Sequence, residues 1–219
     1  MPSSAEPLRI VIVDDHPVVR QGLVALIDQQ PDMIVCGESD TVAGALARIG
    51  SARPAVAVID MSLGLESGLQ VVKALDASAS DVRVLILSMH DETLYAERAL
   101  AAGARGYIMK QEAVQNLIEA IRCVASGKTY LSRAMSERIV ARVTAGGVGH
   151  TEREPLDRLT DREREVLTLR GQGLGTGDIA ERLGLSVKTV ETYYSRIKDK
   201  LGLHSASELI LTAVAWRER

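Results

Sequence analysis

The sequence of 219 residues contains no phenylalanine, one tryptophan and two cysteines. Aromatic residues make up only 3% of the chain, so a stacking platform for single-stranded nucleic acid is not expected. Cys36 and Cys123 lie far apart among apolar neighbours, which excludes a disulfide framework and favours buried thiols in a reducing compartment. The chain also lacks a secretory signal and an apolar run of about 20 residues. We therefore expect a cytoplasmic protein that makes no membrane contact.

Charge is distributed unevenly along the chain. Residues 1–127 contain 10 Lys and Arg against 16 Asp and Glu, residues 128–155 contain 5 against 3, and residues 156–219 contain 11 against 10. The sign of the net charge therefore changes from negative to positive, which predicts two modules that meet different partners. Because the whole chain has a net charge of −3, any contact with nucleic acid must come from a local basic patch.

Short apolar runs alternate with amphipathic stretches through residues 1–127, which we predict to form one domain. The apolar runs are typical of parallel strands that are covered on both faces, and the amphipathic stretches are typical of helices. Five strand–helix units predict an α/β fold with a doubly wound, five-stranded parallel sheet. The predicted strands are residues 8–13, 33–36, 55–59, 82–87 and 106–109, and the predicted helices are residues 18–27, 42–49, 69–75, 92–102 and 113–125.

Polar side chains directly follow four of the five predicted strands. They are Asp14 and Asp15 after the first, Asp60 after the third, Ser88 after the fourth and Lys110 after the fifth. The carboxyl ends of parallel strands meet at one edge, where ligands bind in such folds. Three carboxylates there form a hard-oxygen site that suits Mg²⁺. A lysine and a hydroxyl would add binding for a phosphoryl group, which makes Asp60 a candidate nucleophile that forms an acyl phosphate.

Two simpler interpretations of these residues remain open at this point. Asp and Ser are common at strand ends as helix caps and turn residues, so the four ends could be unrelated. The carboxylates could also hold a calcium or magnesium ion with a purely structural role. Lys110 argues against a structural ion, because an ammonium group beside a metal is useful only when an anion also binds.

The strand pattern of the first domain is absent from residues 128–155 and from residues 156–219. The former contain a possible helix at Met135–Val143, then a glycine cluster and Pro155, which predicts a linker. The latter predict an all-α domain. Its helix boundaries are marked by a capping box from Thr160 to Glu163, a cap at Ser186 and stop signals at Gly184 and Gly202. The last predicted helix is Ala206–Trp216.

The stretch 186–204 is locally basic. It has a net charge of +2, from Lys188, Arg196, Lys198 and Lys200 against Glu191 and Asp199. A helix of this size fits the major groove of duplex DNA, where basic residues bind phosphates and polar groups contact base edges. The alternative is that these charges form an ordinary solvated face.

The first domain resembles the receiver domain of bacterial two-component response regulators over residues 8–126. The resemblance rests on Val13-Asp14-Asp15-His16-Pro17, Asp60, Ser88 and Gly106-Tyr107-Ile108-Met109-Lys110. It implies a flavodoxin-like strand order 2-1-3-4-5 and a sensor histidine kinase that phosphorylates Asp60. It also implies that Mg²⁺ is held by Asp15, Asp60 and the backbone carbonyl of Ser62, with Asp14 in support. Ser88 and Lys110 would bind the phosphoryl group, and Tyr107 would swing inward behind Ser88 as a switch.

The chain departs from the receiver pattern at two places. Receivers often have Met-Pro where this chain has Leu63-Gly64, a change that we expect to loosen the loop, although the glycine eight residues beyond Asp60 is present as Gly68. They also often have a proline, usually after a cis peptide bond, where this chain has Gln111. A non-proline cis bond would cost about 2.5–4 kcal/mol.

Residues 159–219 resemble the LuxR-type helix-turn-helix of NarL/FixJ-class regulators. The matching segments are Leu159–Leu167, Ile179–Leu183, Ser186–Glu191 and Lys200–Gly202. The resemblance implies that the 187–200 helix recognises DNA. Its implied contacts are Lys188, Thr189, Glu191, Thr192, Ser195, Arg196 and Lys200. Tyr193 and Tyr194 stand where the family often has His-Arg, so a phenol hydroxyl could replace one phosphate contact. Gly175 and Gly177 occupy a turn where polar residues are usual, which we expect to weaken the start of the supporting helix at Ile179–Leu183.

These observations predict a transcription regulator whose binding to double-stranded operator DNA depends on phosphorylation. We expect a homodimer in the phosphorylated state, with the last helix (Leu209, Leu211, Val214 and Trp216) either pairing two copies or packing within one. Beyond self-phosphorylation and slow self-dephosphorylation at Asp60, no enzymatic activity is expected. One alternative is a constitutive DNA-binding regulator whose receiver only dimerises. Another is a phosphohydrolase of the haloacid dehalogenase type, in which the nucleophile precedes the acidic pair, the reverse of the order here.

Overall fold

The computed structural model of the chain describes residues 6–64, 66–89, 92–144 and 159–217. The described residues form two compact units, one up to residue 144 and the other from residue 159. In the part of the chain so described, no helix is both long and apolar enough to cross a membrane.

The first unit is built on a five-stranded parallel sheet with the order β2-β1-β3-β6-β7, which confirms the predicted α/β fold and strand order. Its strands are β1 (Leu8–Val13), β2 (Met33–Ser39), β3 (Val56–Asp60), β6 (Arg83–Ser88) and β7 (Gly106–Met109). The short strands β4 (Ser62–Leu63) and β5 (Glu66–Ser67) form a separate antiparallel ribbon. The helices are α1 (Pro17–Asp28), α2 (Val42–Ala52), α3 (Leu69–Ala77), α4 (Glu92–Ala101), α5 (Lys110–Ala125) and α6 (Arg133–Thr144).

The central strands are buried on both faces because their side chains alternate between two apolar clusters. In β1, Val11 and Val13 point into one cluster, and Ile10 and Ile12 point into the other. All five residues of β3 are buried. This alternation explains the continuous apolar runs in the sequence, since neither face of a central parallel strand meets water.

Residues 128–144, the first part of the predicted linker, pack on the first unit. Tyr130 forms a parallel bridge with Gly106 at the edge of β7, and its carbonyl accepts a hydrogen bond from the N–H of Tyr107. The carboxylate of Glu92 accepts a hydrogen bond from the N–H of Ser132 at 2.9 Å, and Met135 on α6 is buried in the core. Residues 145–155 of the predicted linker lie outside the described residues.

The second unit is helical, as predicted. Its helices are α7 (Asp161–Gly171), α8 (Thr176–Leu183), α9 (Val187–Leu201) and α10 (Ala206–Arg217). Thr160 and Glu163 form the predicted capping box, Ser186 accepts the N–H of Thr189 as the cap of α9, and Gly184 and Gly202 end helices in the left-handed conformation. Gly175 is the N-cap of α8, and its N–H donates a hydrogen bond to the carboxylate of Asp178, whereas Gly177 lies within the first turn of α8.

Candidate functional site

The ends of three parallel strands bring the predicted acidic and polar residues to one edge of the sheet. Asp14 follows β1, Asp60 is the last residue of β3, and Ser88 is the last residue of β6. All three are buried, with exposed fractions of 0%, 3% and 0%. Lys110 enters the same edge from the first turn of α5, directly after β7. The structure therefore assembles the residues that the strand-end pattern predicted to meet.

The ammonium group of Lys110 links two of these carboxylates. Its Nζ lies 2.7 Å from Oδ2 of Asp60, to which it donates a hydrogen bond, and 2.7 Å from Oδ2 of Asp14. Burial alone would lower the pKa of Lys110, but the carboxylates of Asp60 and Asp14 outweigh it and raise the pKa above its usual value. Lys110 therefore stays charged.

The carboxyl group of Asp60 is shielded from solvent. Burial raises its pKa to about 6, the Lys110 charge acts in the opposite direction, and the nearby Asp14 adds to the rise. Its Oδ1 accepts a hydrogen bond from the backbone N–H of Ser62 at 3.3 Å, and its Oδ2 is the atom that meets Lys110. A carboxylate with this pKa is ionised at neutral pH and can act as a nucleophile.

Asp15 and His16 complete the cluster on its more exposed side. Oδ2 of Asp15 accepts the backbone N–H of Gly64 at 2.8 Å, and Oδ1 lies 2.8 Å from Nδ1 of His16. One ligand atom from each of Asp14, Asp15, His16 and Asp60 lies within 4.8 Å of all the others. Three carboxylates at this spacing are a suitable donor set for Mg²⁺, which prefers oxygen ligands.

The described residues after Asp60 form a short antiparallel ribbon, in which Ser62 pairs with Ser67 and Leu63 with Glu66. Strand β4 pairs with β5, Gly64 has a left-handed φ of +58°, and its N–H binds Asp15. Gly68, the glycine eight residues beyond Asp60, is sterically required: a Cβ there would lie 2.0 Å from the carbonyl oxygen of Asp60. Across the described residues every peptide bond is trans, including the one between Lys110 and Gln111.

Tyr107 lies on β7 with its side chain fully buried. It packs in the apolar cluster that also contains Tyr95 on α4 and Met135 on α6. The side chain of Tyr107 therefore lies inside the apolar core in this structure. The switch movement that the receiver resemblance implies for Tyr107 stays a prediction.

In the second unit, α9 presents a polar face to solvent. Lys188, Glu191, Ser195 and Arg196 are exposed, and Thr189 and Thr192 are half-buried. The two threonine hydroxyls have local partners: Oγ1 of Thr189 lies 2.8 Å from Oγ of Ser186, and Oγ1 of Thr192 donates to the carbonyl of Lys188 at 2.9 Å. Val187, an apolar residue on the first turn of α9, is 49% exposed.

Lys200 and Tyr193 on α9 both contact the rest of the second unit. Nζ of Lys200 donates to Oε2 of Glu163 at 2.6 Å, and Glu163 is 1% exposed, so Lys200 pairs with a buried carboxylate. Tyr193 is fully buried in the core with Val190 and Ile197, so its hydroxyl cannot replace a phosphate contact. Tyr194 is half-buried, with the guanidinium carbon of Arg170 5.9 Å from its ring centroid.

Each of the two units matches a known protein family. Residues 10–122 match the response regulator receiver domain family, and residues 157–213 match the luxR family of bacterial regulatory proteins. The chain is 35% identical over 206 residues to the DNA-binding transcriptional activator DevR/DosR of Mycobacterium tuberculosis, covering 94% of each protein. It is 36% identical over 207 residues to the oxygen regulatory protein NreC of Staphylococcus epidermidis, covering 93% of this chain and 95% of NreC.

Among solved structures, the chain is similar to that of two RcsB dimers bound to two parallel DNAs. The TM-score is 0.57 and the sequence identity 22%, and the match covers 96% of this chain and 98% of the RcsB chain. At this identity the likeness concerns the fold.

We expect the stability of the protein without divalent cations to fall as the pH rises through the pKa of Asp60. Because the folded-state pKa, about 6, lies above the ordinary value of 3.8, folding favours the protonated carboxyl. Its stabilising contribution is complete below pH 3.8 and is lost as the pH passes about 6. Relative to Asp60→Asn, the wild type should lose about 2–3 kcal/mol between about pH 4 and pH 7 in urea unfolding. A difference between the two proteins that is constant with pH would contradict this.

Replacing Lys200 should destabilise the second unit, because it leaves the buried carboxylate of Glu163 without its ammonium partner. We expect Lys200→Ala to lower the free energy of unfolding by about 1–3 kcal/mol, measured by urea unfolding. The exposed Lys188→Ala is the matched control and should change it by less than about 0.5 kcal/mol. Equal stability of Lys200→Ala and wild type would show that the pair with Glu163 is unimportant.

Proposed function

This chain belongs to the NarL-class response regulators, which join a receiver domain to a LuxR-type DNA-binding domain, and we propose that phosphorylation of Asp60 controls its binding to duplex operator DNA. The observation that carries this proposal is the contact of one lysine with two buried carboxylates at adjoining strand ends. That arrangement provides a nucleophile, a fixed positive charge and a hydroxyl at one edge of the sheet.

In the proposed reaction, a carboxylate oxygen of Asp60 attacks the phosphorus of the donor. The new O–P bond forms as the bond between phosphorus and the donor group breaks, and the donor leaves with that electron pair. The donor is a phosphorylated histidine of a sensor kinase or a small acyl phosphate. Lys110 is close enough to transfer one of its hydrogen bonds from Asp60 to a phosphoryl oxygen, and Ser88 supplies a hydroxyl donor from the end of β6.

The residues present fit a bound Mg²⁺. Asp15, Asp60 and the backbone carbonyl of Ser62 would hold it directly, with Asp14 in support. When bound, the ion neutralises negative charge on the carboxylates and on the phosphoryl oxygens. Lys110 then helps to keep Asp60 ionised, because its charge lowers the pKa of that carboxyl group, whereas the charge of Asp14 acts in the opposite direction.

We propose that α9 is the element that enters the major groove. Its exposed face carries Lys188 and Arg196 for phosphate oxygens, and Glu191 and Ser195 for base edges. Thr189 and Thr192 lie beside them and contribute their remaining hydrogen-bonding capacity. Val187 adds an apolar contact surface of the kind that meets thymine methyl groups.

The active form is proposed to be a homodimer. On α10, Leu209 packs in the core, whereas Leu211 and Val214 are 69% and 41% exposed and leave an apolar surface for a second copy. The RcsB structure holds dimers on DNA, which supports the same arrangement here. Two modules about a two-fold axis would contact half-sites about one helical turn apart.

The proposal is tested by phosphorylation and DNA binding of the same samples. Acetyl phosphate with MgCl₂ should add one phosphoryl group to the wild type and none to Asp60→Asn, as followed by intact mass. Phosphorylation should tighten binding to operator DNA and favour the dimer in size-exclusion chromatography, and Asp60→Asn should show neither change. Equal DNA affinity with and without the donor would instead support a constitutive regulator. Rapid turnover of a generic phosphate ester would support a phosphohydrolase.

If α9 contacts DNA as proposed, its side chains should affect how DNA affinity depends on salt. Arg196→Ala should weaken binding across sequences and lower the slope of log affinity against log salt by about 1, because one phosphate contact is lost. Glu191→Gln lies on the same face and should leave the slope unchanged while altering preference at one base pair by about 1–3 kcal/mol. Equal slopes for Arg196→Ala and wild type would show that Arg196 does not contact a DNA phosphate.

A further inference from the structure

The two carboxylate oxygens of Asp15 have different partners: one lies next to a backbone amide and the other next to an imidazole ring. Oδ2 accepts the backbone N–H of Gly64 at 2.8 Å, and Oδ1 lies 2.8 Å from Nδ1 of His16. Gly64 belongs to the main chain that follows Asp60 and the β4 strand, whereas the side chain of His16 is 62% exposed. A cation that binds Asp15 approaches one of these two oxygens, and the group already beside that oxygen competes with the cation for its lone pairs.

The surroundings of the two oxygens indicate which of them faces the cation. Oδ1 is shielded from solvent and shares Nδ1 of His16 with Oδ1 of Asp14, which lies 3.3 Å from the same nitrogen. Oδ1 is therefore the oxygen on the side of the other carboxylates. The exposed imidazole of His16 can turn into solvent and release it, whereas the Gly64 amide belongs to the main chain directly after β4.

We propose that Gly64 is a positioning residue for the metal site, whose backbone N–H holds Oδ2 of Asp15 so that Oδ1 faces the cation. This inference rests on the proposed function, because it takes Mg²⁺ to be held by Asp15, Asp60 and the backbone carbonyl of Ser62, with Asp14 in support. Partners that hold a metal ligand in place typically contribute about 10–100-fold to metal affinity.

The glycine provides two properties that the proline common in receivers at this position lacks. Its φ of +58° is the left-handed conformation, whereas proline fixes φ near −65°. Its N–H makes the bond to Asp15, whereas proline has none. Space is not the constraint, because the nearest atom to a Cβ at Gly64 would be Oδ2 of Asp15 at 4.0 Å.

The test is titration of the full-length protein with MgCl₂ by isothermal calorimetry. Gly64→Asn and Gly64→Ala keep the N–H, and asparagine also tolerates the left-handed backbone, so both should bind Mg²⁺ within about threefold of wild type. Gly64→Pro lacks the N–H and should bind about tenfold more weakly or worse. His16→Ala should bind at least as tightly as wild type. Equal affinities of Gly64→Pro and Gly64→Ala, or a tenfold loss in His16→Ala, would overturn the proposal.

Exchange of the Gly64 amide proton provides a second measurement that does not depend on the proline variant folding. If Oδ2 stays on Gly64, saturating MgCl₂ leaves this proton protected in NMR spectra, and Asp15→Ala makes it exchange quickly. Fast exchange in the wild type on addition of MgCl₂ would mean that the cation takes Oδ2, which contradicts the proposal. Failure of the wild type to bind Mg²⁺, or to be phosphorylated at Asp60, would instead contradict the proposed function.

Discussion

Like charges crowd together where the strands of the first unit end, and a single lysine offsets only part of that charge. Nζ of Lys110 lies 2.7 Å from both Asp14 and Asp60, and Asp15 adds a third carboxylate beside them. The electrostatic repulsion that remains makes the site receptive to a cation and sensitive to any further negative group. Because β1, β3 and β7 are parallel members of one sheet, this crowding follows from the fold itself.

The elements predicted best from the sequence are the strands whose two faces are both buried. The central strands β1, β3 and β6 are buried on both faces, so their residues are nearly all apolar and stand out. Strand β2 lies at the sheet edge and runs on through Gly37–Ser39, where polar and small residues conceal a strand. The β4–β5 ribbon was missed because two-residue strands have no periodicity to detect.

Site residues were predictable when strand direction alone placed them, and unpredictable when a long-range contact did. Asp14, Asp60, Ser88 and Lys110 meet because parallel strands end together. The bonds from Gly64 to Asp15 and from Lys200 to Glu163 join residues 49 and 37 positions apart, and no local pattern signals them. The burial of Tyr193 was detectable, since it follows Val190 by three residues and precedes Ile197 by four on one helical face.

The contact of Tyr130 with β7 has a practical consequence for dissecting the protein. Strand β7 is the last in the sheet order, and its outer edge is covered by the residues around Tyr130. A fragment ending at residue 127 would leave that edge without a cover and strip Met135 from the apolar cluster around Tyr107. Exposed strand edges recruit other chains, so such a fragment would self-associate for reasons unrelated to signalling, whereas one that extends to residue 144 keeps its edge closed.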